Sequence, residues 1–308
     1  MVQAGMHRWR APRNVCWKRL TTLFKDGVEC HIDCWVPNHL KNKCELKCVW
    51  FVCHGLGGNS DSSYCRWLVH EIKACNEPMA VVVYNRRGHV AMAHGDRIAS
   101  HYDPDDMDIA IQFVQKLFRD VPIYGIGFSM GGNLLLKWMG ERRDGGAGVF
   151  RGMVVVSGCL HLVHGFMALR PGSLVDKLSI WFLKDVVKGH ISLTNNAVER
   201  ALLKCTTFWE ADAMASKKSD LYDYYESCSA VYVIDKINVP VLSIISEDDP
   251  FVKETIAHYE FAHMANKKHW CTVVTDRGGH IGWMEGGGCG KPWVYRLPLD
   301  FCNILSRL

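Results

Sequence analysis

Short apolar runs separated by helix-length segments restrict the fold more than any other feature of this chain. Leu46–Cys53 and Ala80–Tyr84 are continuous apolar runs, and Ile123–Phe128, Met153–Ser157, Val239–Ile245 and Cys271–Thr275 continue the series. A strand apolar on both sides of its pleat needs cover on both faces, the condition of a strand inside a parallel sheet. Val28–Val36 alternates in part, as a half-exposed strand does. Tyr64–Cys75, Asp105–Leu117 and Gly132–Glu141 fill the intervals as helices. Strands alternating with helices imply an α/β fold, a mostly parallel sheet with helices on both faces.

The rhythm lapses between about Cys159 and Lys236. That stretch reads as largely helical, with Ser173–Lys188 and Asn195–Cys205 as its clearest helices, and carries Phe166, Trp181, Phe208, Trp209 and Tyr224. An insertion of this size between two core strands reads as a helical cap, with some of its aromatics lining a cleft. The expected organisation is therefore a basic extension over 1–24, a core over 25–158 and 237–308, and a cap over 159–236.

Of the 308 residues, 48% are hydrophobic and 22% charged, which excludes disorder, collagen and coiled coil as the main architecture. A net charge of +4 is too small to point to nucleic acid, which requires a dense basic patch. The 14 cysteines include no Cys-x-x-Cys pair, and no Asn-x-Ser/Thr sequon occurs, so the expectation is reduced thiols in an intracellular, cytoplasmic setting. His-Glu-x-x-His is absent, and Cys30/Cys34 and Cys44/Cys48 fall in strand-like stretches, so neither a metal site nor a cofactor is expected. No apolar stretch reaches the ~18 residues of a membrane span. Arg8, Arg10, Arg13, Lys18 and Arg19 give the first residues a basic character without acids. That segment reads as a solvated tail, with a transit peptide or a peripheral membrane contact as the alternatives.

Chemistry enters at Gly127-Phe128-Ser129-Met130-Gly131, a G-x-S-x-G pattern. It follows an apolar strand and opens a helix, the strand–turn–helix setting of a nucleophile elbow. Ser129 must take strained backbone angles to project its hydroxyl, and the flanking glycines leave room for that. The helix start aims N–H groups at the same point, which favours negative charge there.

A serine hydroxyl needs a base, and the base needs an orienting acid. Val239–Ser246 runs into Glu247-Asp248-Asp249-Pro250, so an acid stands just past a strand end. Asp249 is the first choice, Asp248 the alternative and Glu247 the third. After the next strand comes Gly278-Gly279-His280, glycines beside a histidine on a loop, so His280 is the expected base. His258, His263 and His269 read as helix-surface or loop histidines. A tetrahedral oxyanion needs two donors, here the N–H of Met130 and an N–H from the His54-Gly55-Leu56-Gly57-Gly58 loop, that of Leu56. His54 reads as a brace for that loop.

Taken in order, His54-Gly55-Leu56-Gly57-Gly58, Asn85-Arg86-Arg87-Gly88, Gly127 to Asn133, Tyr224-Tyr225, Ile237 to Leu242, Asp248-Asp249-Pro250 and Gly278-Gly279-His280 resemble the AB-hydrolase 4 family of α/β-hydrolase domain proteins. The resemblance spans about Lys25 to Glu285. It implies the α/β-hydrolase fold, with an eight-stranded sheet and a helical cap, and a Ser129, Asp249, His280 triad. The family includes YheT-like bacterial esterases and eukaryotic lipid hydrolases acting on acylglycerols and phospholipids. Two departures stand out. Many eukaryotic members carry an N-terminal membrane anchor, which is not expected from the residues of this sequence, and Phe208-Trp209-Glu210 stands where a Phe-Asp pair is expected. Arg86 and Arg87 match the family's arginine-glycine turn and read as salt-bridge residues. His101-x-x-x-x-Asp106 fits a loose acyltransferase pattern, but Asp103–Asp106 read better as acids at a helix N-terminus.

The resulting expectation is a serine hydrolase of carboxylic esters acting on a small-molecule ester or lipid. Acyl transfer to another acceptor and a catalytically silent binding protein on the same fold are the rivals.

Overall fold

Every residue of β3 (Cys48–Cys53) is buried, and its side chains divide between two cores. Val49, Phe51 and Cys53 join one apolar cluster, while Cys48, Trp50 and Val52 join another on the opposite face. Period-two alternation with both faces covered is why this run shows no polar residues. In the computed structural model of the protein, residues 11–13, 15–88, 99–167, 169–194, 197–252, 268–285 and 291–308 are described. Arg8, Arg10, His258 and His263 lie outside them.

The sheet has eight strands in the order β1-β2-β4-β3-β5-β6-β7-β8. β1 (Lys18–Leu23), β2 (Glu29–Trp35) and β4 (Met79–Asn85) pair antiparallel in sequence. From β4 through β3, β5 (Ile123–Phe128), β6 (Phe150–Val156), β7 (Val241–Ser246) and β8 (Trp270–Thr275) every pairing is parallel. One face is covered by α1 (Ser63–Ala74), through Trp67, Leu68 and Ile72, and by the last helix, through Leu299 and Cys302. The other is covered by α2 (Pro104–Leu117), through Met107, Ala110 and Val114, and by α3 (Met130–Glu141), through Leu134, Leu135 and Trp138.

β1 corrects the reading of its segment as tail. Lys18–Leu23 forms an antiparallel edge strand, and its residues alternate between exposed and half-buried. Such a strand carries no continuous apolar run, and lysine is a common edge residue because it discourages pairing with other chains. Arg19 fixes it by donating two bonds of 2.8 Å to Asp33, which is buried on β2. Asp33 also accepts from the Ser60 hydroxyl at 2.6 Å and the Asn85 amide at 2.9 Å, which ties β1, β2, β4 and the loop after β3 together.

Between β6 and β7 the chain runs through α4 (Leu162–Met167), α5 (Leu174–Thr194), α6 (Ala197–Leu202), α7 (Phe208–Ser216) and α8 (Leu221–Cys228). Their own apolar cores are small, one around Phe166, Phe208 and Tyr225, the other around Ile180, Val187, Leu202 and Ala211. α9 (Arg296–Leu305) closes the chain. Among the described residues no helix is long and apolar enough to cross a membrane.

Candidate active site

Ser129 sits between the end of β5 and the first turn of α3 with φ 53° and ψ −123°. A positive φ costs a non-glycine residue free energy, so the surroundings must enforce it. They do so by close packing. A Cβ at Gly127 would fall 2.4 Å from Gly132 Cα, and one at Gly131 would fall 2.1 Å from the Cys53 carbonyl oxygen. Only hydrogen fits at both places, which is the physical reason for the G-x-S-x-G spacing. The Ser129 N–H is held by the Val156 carbonyl at 2.9 Å, so the neighbouring strand β6 anchors the turn.

His280 Nε2 lies 2.8 Å from Ser129 Oγ. On the other side of the ring, Nδ1–H donates to both carboxylate oxygens of Asp249, at 3.0 and 2.9 Å. Asp249 is fully buried, while the His280 side chain keeps 17% of its exposure. Phe251 packs on the ring, with centroids 4.6 Å apart. Asp249 follows β7 and His280 follows β8, so neighbouring parallel strands deliver acid and base to the same edge of the sheet.

The alternative acids have other partners. Asp248 accepts from the N–H groups of Gly278 and Gly279 at 2.9 and 2.7 Å, and so holds the loop that carries His280. Burial works against its charge, but those bonds and one from the Ser246 hydroxyl outweigh it and hold its pKa below the usual range. Glu247 is exposed and donates its N–H to Thr275. His269 donates from Nε2 to the Ile237 carbonyl at 2.9 Å, away from Ser129.

The loop after β3 reaches Ser129, since a Cβ at Gly55 would sit 3.2 Å from Ser129 Cβ. Leu56 is the next residue, and the Met130 N–H is among the first amides of α3, which have no carbonyl partner within the helix. His54 braces this loop. Its Nδ1–H donates to the Gly55 carbonyl at 2.8 Å, and its Nε2 accepts the Arg86 N–H at 3.2 Å. Full burial lowers its pKa to about 3, so the ring is neutral, as an acceptor nitrogen requires. Gly55 N–H in turn donates to the Tyr64 hydroxyl at 3.1 Å.

Arg87 is buried and pairs with Asp106 and with Asp26, the latter at 2.9 Å. Asp106 is therefore more than a helix-terminal acid: it neutralises an arginine behind the site. His101, the other half of the loose acyltransferase pattern, turns away from it. Its Nε2–H donates to Asp212 of α7 at 2.8 Å, and its Nδ1 lies against the Met130 sulfur, also at 2.8 Å. Tyr225 of α8 donates its hydroxyl to the same Asp212 oxygen at 2.7 Å. His101, Asp212 and Tyr225 thus link the inserted helices to Met130, the residue after Ser129. The sequence reading missed this link, because nothing in the spacing of residues 101, 212 and 225 brings them together. Glu210, at the departure from the family pattern, completes a capping box with Thr207 at the start of α7. Among the described residues no group of three or more His, Cys, Asp or Glu could hold a metal ion.

A serine on a strained strand–helix turn, faced by histidine and aspartate from later strands of a mostly parallel sheet, defines an α/β-hydrolase architecture. A model of the alpha/beta hydrolase family matches residues 51–286, and the chain belongs to that family. Abhydrolase domain-containing protein 2 of Drosophila melanogaster is 25% identical over 88% of this chain and 71% of its own length. Monoacylglycerol lipase ABHD2 of Homo sapiens is 23% identical over 98% of this chain and 76% of its own. Among solved structures, Est1E from Butyrivibrio proteoclasticus with ferulic acid bound superposes with a TM-score of 0.63 at 12% identity, covering 96% of this chain and all of that one (100%). The Pyrococcus furiosus esterase Pf2001 gives 0.57 at 14%, over 97% of each chain. At such identities these structures speak for the fold alone.

Proposed function

We propose that the protein is a carboxylic ester hydrolase that acts on lipid esters of acylglycerol or phospholipid type through a serine acyl-enzyme. The observation that carries the reading is the unbroken hydrogen-bond path from Ser129 Oγ through His280 to buried Asp249. In this mechanism Ser129 Oγ attacks the ester carbonyl while its proton passes to His280 Nε2. Asp249 fixes the tautomer and offsets the imidazolium charge. The N–H groups of Met130 and Leu56 receive the oxyanion. Collapse expels the alcohol, which takes the proton from His280. Water, deprotonated by the same nitrogen, then releases the acid and regenerates Ser129.

The lipid part of the proposal draws on two supports. Relatives of which the match covers 73% and 76% are named monoacylglycerol lipases, and aromatic side chains of the inserted helices approach Met130 through His101. The inserted helices are, in this reading, a cap over the acyl chain.

Ser129→Ala is expected to lower kcat by roughly three to six orders of magnitude and to abolish labelling by a fluorophosphonate probe. Retention of turnover would overturn the assignment. A panel of p-nitrophenyl and glycerol esters of increasing acyl length tests the substrate class, and activity confined to acetate would remove the lipid part.

A further inference from the structure

α5 is apolar on two opposite sides, and only one of them is covered. Its inner side buries Ile180 and Val187 against α6 and α7, and Asp176 turns inward to accept the Phe208 N–H at 2.8 Å. On the opposite side Leu174, Leu178 and Trp181 stand one helical turn apart, at relative exposures of 70%, 36% and 61%. With 3.6 residues per turn, positions 174, 178 and 181 fall on one line along the helix. A helix that packs one apolar side inward and still leaves two leucines and a tryptophan in line on the other marks an interaction surface.

The flank of the stripe indicates what covers it. Lys177 and Lys188 are exposed and Lys184 half-exposed, all along one edge; Arg170 is exposed just before the helix, and the exposed Asp185 lies on the line of the stripe one turn past Trp181, so the apolar face is confined to the first half of the helix. Leucines and a tryptophan edged by lysines match a lipid–water interface. The apolar side chains enter the acyl region, the indole sits at headgroup level, and the lysines extend to anionic headgroups. A protein partner would more commonly meet a surface depleted in lysine.

We propose that α5 is a docking helix for an anionic lipid surface, laid flat on it through Leu174, Leu178 and Trp181. This goes beyond the hydrolase reading and does not depend on it, although a lipid ester dissolved in a bilayer would then lie beside the inserted helices.

The test is flotation of the full chain with vesicles of phosphatidylcholine, with and without phosphatidylserine. The wild-type chain is expected to float with the serine-containing vesicles and to dissociate as salt rises. Leu174→Ser/Trp181→Ser is expected to reduce that partitioning about tenfold or more. Lys177→Gln/Lys188→Gln should remove the preference for phosphatidylserine while leaving residual binding. All four side chains are exposed, so fluorophosphonate labelling and hydrolysis of a water-soluble short ester should be unchanged in both variants. Flotation of the serine variant equal to wild type would overturn the proposal, as would a wild-type chain that binds neither vesicle. So would a concentration-dependent dimer abolished by the serine variant, since a second copy would then cover the stripe. Loss of short-ester hydrolysis in the wild type would count against the hydrolase reading and leave the flotation result standing.

Discussion

At the scale of single residues, the site rests on atoms that are absent or uncharged. Gly131 has no Cβ, and one built there would lie 2.1 Å from the Cys53 carbonyl oxygen. Gly131→Ala is therefore expected to destabilise the protein by about 1–3 kcal/mol, measured by urea unfolding, and to lower kcat by displacing the elbow. His54 is held neutral, its pKa lowered to about 3 by burial. The unfolded chain binds that proton near pH 6.5, so between pH 6.5 and 3 unfolding takes up a proton. Stability is thus complete above pH 6.5 and falls as the pH drops toward 3, by about 2 kcal/mol at pH 5 from this residue alone. His161, also lowered by burial, to about 4, acts in the same direction. Comparing the urea stability of wild type and His54→Gln at pH 7 and pH 5 isolates the contribution, and equal slopes would refute it.

At the scale of elements, what the sequence disclosed follows from what buries each element. β3, β4 and β5 are sandwiched between helices, so their apolar runs mark them within a residue or two of their true ends. β1 was illegible because an edge strand needs only one partner and little burial. The order of Ser129, Asp249 and His280 was legible because each follows a strand, and glycine or proline marks the turn. The side chains that hold those turns were not. Asp248 and Asp249 are adjacent and chemically alike, and only the folded loop decides that one meets Gly278 and Gly279 while the other meets His280. Ion pairs such as Arg87 with Asp106 have no sequence period at all. Asn133 shows the same limit. It lies on the first turns of α3, donates to the Cys228 carbonyl at 2.9 Å and accepts the Ala230 N–H at 2.8 Å, pinning the chain as it returns from α8. Asn133→Ala leaves both backbone groups buried and unpaired, and is expected to cost about 2–4 kcal/mol by thermal or urea unfolding.

At the scale of the whole molecule, the inserted helices and the sheet meet at a polar contact with an aromatic surround. Asp212 receives both His101 and Tyr225, and Phe166 stacks on Tyr225 with centroids 4.2 Å apart. Removing the carboxylate leaves two buried donors without an acceptor. Asp212→Ala is expected to destabilise the protein by roughly 2–4 kcal/mol. It should speed amide exchange in α7 and α8, measured by hydrogen–deuterium exchange, while β3 and β5 stay protected. Uniform acceleration across the sheet would show that the inserted helices and core open as one unit.

The sequence separation of 151 positions between Ser129 and His280 also bears on how the protein comes to act. The proposed nucleophile is encoded near the middle of the chain, whereas its proposed acid and base arrive with β7 and β8, the last strands of the described sheet to be made. A nascent chain can build most of the sheet around Ser129 and still hold an inert hydroxyl. In the proposed mechanism competence arrives late and all at once, when these two strands dock, so esterase turnover during translation would serve as a clock for completion of the sheet.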